Sequence, residues 1–222
     1  MEENDAPIAD RLDPARAAML WAVLGMDGRA PDHGQQVPAL FHHAYFWRMW
    51  GAAIGPVITA GKLRVHAPLR FGIAAEMSVG SGQKRTVLQR GALALTEDLV
   101  MSDAGFRDTA PSRSQVPDVR RDCTFSADAL FAYAALTMSP NRVHFEPAVA
   151  QAAGFSAPVV DARLMAQHLA AMAEQTHGAV NAFDFRAFAP VLQDQRVIFF
   201  AQGRDYWIED AAGQVVMTAR AG

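Results

Sequence analysis

The 222-residue chain has one cysteine, Cys123. No disulfide can form within it, and a reducing compartment is its simplest setting. No apolar run approaches the roughly 20 residues that cross a bilayer. No basic run exceeds Arg120-Arg121, so the electrostatic footprint of a nucleic-acid binder is missing. The opening MEENDAPIADRLD is acidic and polar and does not read as a secretory signal. There is no GxGxxG, no phosphate-cradling P-loop and no GxSxG, which removes dinucleotide, nucleotide and serine-hydrolase signatures. The histidines His42, His43, His66, His168 and His177 show no metal-ligand spacing with cysteines or carboxylates. The expectation is a soluble, cytoplasmic protein with no metal, nucleic-acid or membrane partner.

What the chain does have is apolar residues to 51% and a net charge of −3. That is enough to bury a substantial core in one large domain or two small ones. Asp13-Pro14 opens a helix, with Asp as N-cap and Pro at the first helical position. Met19, Leu20, Val23 and Leu24 give it an apolar face, and Gly25 stops it. PALFHHAYFWRMW, including Trp47, Met49 and Trp50, reads as a short buried helix-like run. The period then changes. Residues 62–66 alternate as a half-buried strand, 73–79 and 93–101 form further strands, and 78–85 is a turn. Residues 104–119, rich in Pro, Ser, Asp and Arg, read as a linker. Residues 121–125 form a strand. Ser126 then caps a helix to about Thr137, burying Leu130, Phe131, Tyr133, Ala134 and Leu136. A loop through Gly154 and Pro158 reaches Asp161, which can cap a helix with Leu164, Met165, His168, Leu169 and Met172 on one face. Four strands follow, at 182–187, 195–202, 204–209 and 214–220. A single helix followed by strands of this kind suits α+β with an antiparallel sheet.

Residues 136–172, LTMSPNRVHFEPAVAQAAGFSAPVVDARLMAQHLAAM, carry a family resemblance. Thr137 to Glu146 resembles the Thr-Phe-Asn-x-His-Arg-Ile-His-Tyr-Asp motif of the MaoC-like hydratases, in particular their double-hotdog, mesaconyl-type branch. GKLRVHAPLRFG resembles that branch's first unit. The resemblance implies two hotdog units in one α+β chain, each an antiparallel sheet wrapped around a helix. Residues 1–103 would form a shortened first unit, 104–119 the linker and 120–222 the second unit. Residues 80–93 look short, as if the first unit had lost a strand.

The implied activity is hydration or dehydration of an enoyl or hydroxyacyl thioester, CoA-linked or carrier-linked, with a dicarboxylyl acyl group favoured weakly by Arg142. That chemistry needs a base for water and an acid for the α-carbon. The family histidine falls on His144, and the aspartate of single-domain members falls on Ser139, where the branch commonly has Asn. Asn141 and Arg142 are placed to orient water or a substrate carboxylate. The family's Val-Val-His-Gly-x-Leu becomes Val159, Val160, Asp161, Ala162, Arg163, Leu164. Its helix-start amides hold the thioester oxygen, an environment that favours developing negative charge. Asp161 is then either a plain cap or the acid–base partner of His144. No cofactor beyond the CoA of the substrate is implied, and a homodimer is expected. Two alternatives stay open: a non-catalytic acyl-thioester binder, and a hotdog thioesterase in which Asp161 activates water.

Overall fold

Among the described residues, ten strands form one sheet: β1 (Ile8–Arg11), β2 (Val57–Val65), β3 (Ala74–Val79), β4 (Lys84–Gln89), β5 (Ala92–Ser102), β6 (Val119–Cys123), β7 (Ala182–Ala187), β8 (Val197–Gln202), β9 (Asp205–Asp210) and β10 (Val215–Ala221). The computed structural model describes residues 6–46, 57–102, 105–106, 108–113 and 116–222. The sheet order is β1-β3-β4-β5-β2-β7-β10-β9-β8-β6, so each half of the chain contributes five neighbouring strands. All strand pairings among the described residues are antiparallel, and the halves join where β2 pairs with β7.

That seam depends on Gly61, which lies opposite Phe185 in the β2–β7 register. A Cβ on Gly61 would fall 2.3 Å from the Phe185 ring and 2.9 Å from Leu99. Only glycine lets the ring lie across the strand at that point.

Four helices complete the described fold: α1 (Pro14–Val23), α2 (Ala127–Leu136), α3 (Pro147–Ala152) and α4 (Ala162–His177). Asp13 caps α1 through a bond from the Ala15 amide, and Ser126 caps α2 through the Ala129 amide. Asp161 caps α4, the long helix, which packs on β2, β7 and β10 at the middle of the sheet. Residues 162–167 and 169–173 are buried around its whole circumference. The small alanines at 166, 170 and 173 are fully buried and let the sheet approach closely.

Several local expectations change. No strand is missing from residues 80–93, because β4 lies there, preceded by a 3-10 turn at Ser81–Gln83. Among the described residues, PALFHHAYF provides only a 3-10 turn, Phe41–Ala44, all of it buried. Trp47, Met49 and Trp50 lie outside the described residues. The loop after His144 contains α3. Met19 and Phe131 sit on the outer faces of α1 and α2, 54% and 62% exposed. Residues of the 104–119 segment run against the outer face of the second half, with Ala110 packed on the Phe200–Trp207 cluster and Arg113 over the Trp207 ring.

Candidate active site

Where α2 ends, Met138 turns the chain in a left-handed conformation (φ 47°) and Ser139 and Asn141 point inward, both buried. The Asn141 side chain accepts from the Val143 amide and caps a 3-10 turn, Arg142–His144. His144 therefore lies in this turn, 6% exposed, rather than in a strand. The Val159 amide donates to the Val143 carbonyl, tying this turn to the chain that enters α4.

His144 Nδ1 lies 2.8 Å from the Val159 carbonyl. A carbonyl only accepts, so Nδ1 carries the proton. Nε2 lies 3.9 Å from Asp161 Oδ2. The histidine is thus oriented by backbone on one side and presented to a carboxylate on the other.

Asp161 is 4% exposed and receives the Arg163 amide at 2.9 Å and the Arg163 Nε at 3.1 Å on each oxygen. Arg163 Nη2 bonds the same carboxylate and also donates to Ser139 Oγ at 3.1 Å. Burial alone would raise the Asp161 pKa, but Arg163 and then His144 outweigh it and hold the carboxyl far below its usual range. Asp161 is an anion at any neutral pH, and Arg163 is its fixed counter-ion.

His144, Ser139, Asn141, Asp161 and the first residue of α4, Ala162, are all buried in this region. Arg142 is placed apart from it: its guanidinium is half exposed and forms a two-armed pair with Glu146. Two members were missed in the sequence. Arg163 gave its signal as a basic residue two positions after a capping aspartate. Tyr133, 2% exposed on α2, has Asp161 and Arg163 in its electrostatic surroundings and gave no signal beyond being apolar-flanked.

A second buried polar cluster corrects the expectation that the histidines form no metal-ligand grouping with carboxylates. His43 Nε2 lies 2.7 Å and His42 Nε2 3.3 Å from Glu97, a β5 residue far away in sequence, and Arg85 approaches the same carboxylate at 3.4 Å. The three donor residues have metal-ligand chemistry, yet Arg85 already balances the Glu97 charge. Burial pushes the His43 imidazole down to about 4. Glu97 and Arg85 form a buried ion pair, and the two histidines extend it into a hydrogen-bonded network.

A cavity of about 220 Å³ opens between α1, β6, α2 and α4, lined by Leu24, Phe125, Ala129, His168, Met172 and Phe199 among others. His168 sits between the Phe125 and Phe199 rings. Burial, with a smaller effect from Arg121, lowers its pKa to about 4.

The hydroxyacyl-thioester dehydratase type 2 family matches residues 19–193. No curated protein sequence matches the chain significantly. Among solved structures, HtdX from Mycobacterium tuberculosis superposes with a TM-score of 0.76 at 20% identity, over 96% of this chain and 98% of that one. The peroxisomal multifunctional enzyme type 2 of Drosophila melanogaster gives 0.68 at 14% identity, over 97% of this chain and 48% of that one. A MaoC-like dehydratase from Phytophthora capsici gives 0.64 at 10% identity, over 98% and 95%. These likenesses establish the hotdog fold, and the family match covers most of the chain. The chain belongs to the hydroxyacyl-thioester dehydratase type 2 family, lyases of the MaoC-like, double-hotdog kind.

Proposed function

We propose that the protein adds water to an enoyl thioester, and removes it from the 3-hydroxyacyl thioester, with His144 as the base. The observation that carries this is the His144 geometry: Nδ1–H is fixed on the Val159 carbonyl and Nε2 faces inward beside an ionised Asp161. A neutral Nε2 takes a proton from water as the oxygen adds to the β-carbon. The electron pair of the double bond moves onto the thioester as an enolate. The imidazolium, stabilised by Asp161, returns the proton to the α-carbon. Ser139 and Asn141 line the water position, and the start of α4 at Asp161–Ala162 faces the thioester carbonyl. No separate cofactor is needed, because the carbonyl itself acidifies the α-proton. CoA enters as part of the substrate.

The acyl group runs, in this reading, along α4. Asp161, Met165, His168 and Met172 recur at helical spacing on one stripe. On α2, Ala129 and Tyr133 do the same. His168 lies six residues beyond Ala162, about 9 Å along the axis, and lines the cavity with Met172 and Ala129. A medium-length acyl chain fits that distance. With Arg142 engaged by Glu146, the structure lends no support to a dicarboxylyl preference through that residue. Dimerisation is a separate proposal, tested by light scattering.

The test is the ultraviolet absorbance of crotonyl-CoA over time with wild type and His144→Ala. Loss of enoyl absorbance with wild type alone supports the assignment, and equal rates in both proteins overturn it. One observation favours binding without turnover: Arg163 saturates the Asp161 carboxylate and occupies Ser139. Stabilisation by the thioester with no change in absorbance would identify that case. Thiol release would identify a thioesterase.

A further inference from the structure

Tyr133 carries a buried hydroxyl near the candidate site that the mechanism above leaves idle. The side chain is 2% exposed, and among the described residues its oxygen, wholly buried, has no hydrogen-bond partner. Groups of this kind are rare, and each calls for an explanation such as an absent water or ligand. The carboxylates in its electrostatic surroundings are already engaged: Asp161 by Arg163, and Glu97 by His43, His42 and Arg85. Burial first, and then the Asp161 carboxylate, push the phenol well above its usual range, so it keeps its proton and acts as a donor. Its position on α2 is one turn before Thr137, whose hydroxyl is committed to the Tyr133 carbonyl at 2.8 Å, and two residues further on is Ser139.

Hydration through an enolate needs a donor aimed where negative charge develops on the thioester oxygen. At the start of α4 one such donor has been withdrawn: the Arg163 amide is bonded to Asp161 Oδ1 at 2.9 Å. We infer that the Tyr133 hydroxyl supplies the donor, hydrogen-bonding the substrate's thioester carbonyl and strengthening that bond as the enolate forms. The proton stays on the phenol throughout. The water proton passes to His144 Nε2 and from there to the α-carbon, so the step balances without Tyr133 ionising. This inference rests on the thioester reading of the site.

The test is Tyr133→Phe, which removes only the oxygen. Two ligands are used: crotonyl-CoA for turnover, and butyryl-CoA, which carries the carbonyl but no double bond, for affinity by calorimetry. Expected is a fall in kcat of about 100-fold, an unchanged shape of the pH profile, weaker butyryl-CoA binding, and a melting temperature equal to or above wild type. The last readout separates the roles, because deleting an orphaned hydroxyl does not destabilise whereas deleting a structural one does. Unchanged kcat and butyryl-CoA affinity would overturn the inference, and so would a drop in melting temperature with kinetics intact. Should wild type fail to turn over crotonyl-CoA, the hydratase reading falls alone, and the butyryl-CoA comparison still decides Tyr133. Absence of butyryl-CoA binding by wild type overturns both.

Discussion

Asp161 and Arg163 lie two residues apart on the first turn of α4 and are joined by backbone and guanidinium bonds to one carboxylate, at 2.9 Å from the amide and 3.1 Å from Nε. The pair is buried, with Ser139 and His144 at its edge. Removing one partner leaves a buried charge uncompensated, which costs about 3–5 kcal/mol. Asp161→Asn should therefore destabilise the fold by an amount of that order at pH 7, measured by urea denaturation. The sign with pH follows from the lowered carboxyl pKa. Its stabilisation is present above the unfolded value of roughly 3.9 and is lost as pH falls below it. The gap between wild type and Asp161→Asn should close as acid is added. A gap that is constant down to pH 3 would mean the pair contributes no linked stability.

The buried histidines act in the same direction but in a higher pH window. His43 and His168 are both held down to about 4 from 6.5, mainly by burial. Between those values the unfolded chain binds protons that the folded chain refuses, so stability falls as pH drops. The slope is about 1.4 kcal/mol per pH unit for each group. His168→Phe keeps an aromatic between Phe125 and Phe199 and removes one titrating group. Denaturation midpoints taken from pH 7 to 4 should fall less steeply in the variant than in wild type. Parallel curves would show that His168 is not buried neutral.

Much of this was legible in the sequence, and what was not has a physical pattern. The N-caps Asp13, Ser126 and Asp161 announce their helices because capping is local, between residues two or three apart. The position of His144 was readable from its motif. Glu97 was not, because its bonds to His42 and His43 close across more than 50 residues, and nothing in a strand pattern marks a buried glutamate. Phe131 was misplaced because α2 is apolar nearly all round, so periodicity cannot choose its buried face. α3 escaped notice because it has only six residues. Gly61 likewise carries no sign in the sequence of the ring it must clear.

The seam between the two halves makes a direct prediction at that glycine. Gly61→Ala places a methyl group against a buried Phe185 ring and Leu99. Overpacking of this kind costs about 1–3 kcal/mol. Combining it with Phe185→Leu should recover part of the loss, and the coupling from the double-mutant cycle isolates the contact. Additive effects in urea melts would show that the strand yields elsewhere.

The cavity beside α4 makes the acyl chain the variable to test. Ala129 lies on its wall with His168 and Met172, while the thioester is proposed to sit at the start of α4, about 9 Å from His168 along the helix. Ala129→Phe fills the cavity without touching His144, Asp161 or Arg163. A short chain never reaches that depth, so crotonyl-CoA should be turned over at the wild-type rate. An eight-carbon enoyl thioester must enter the cavity. Each methylene excluded from an apolar site forfeits about 0.8 kcal/mol, so losing two or three of them should lower kcat/KM by roughly 10- to 50-fold. Equal loss on both substrates would mean that Ala129→Phe disturbs the site itself. Equal retention would place the acyl chain elsewhere, with the cavity no part of its path.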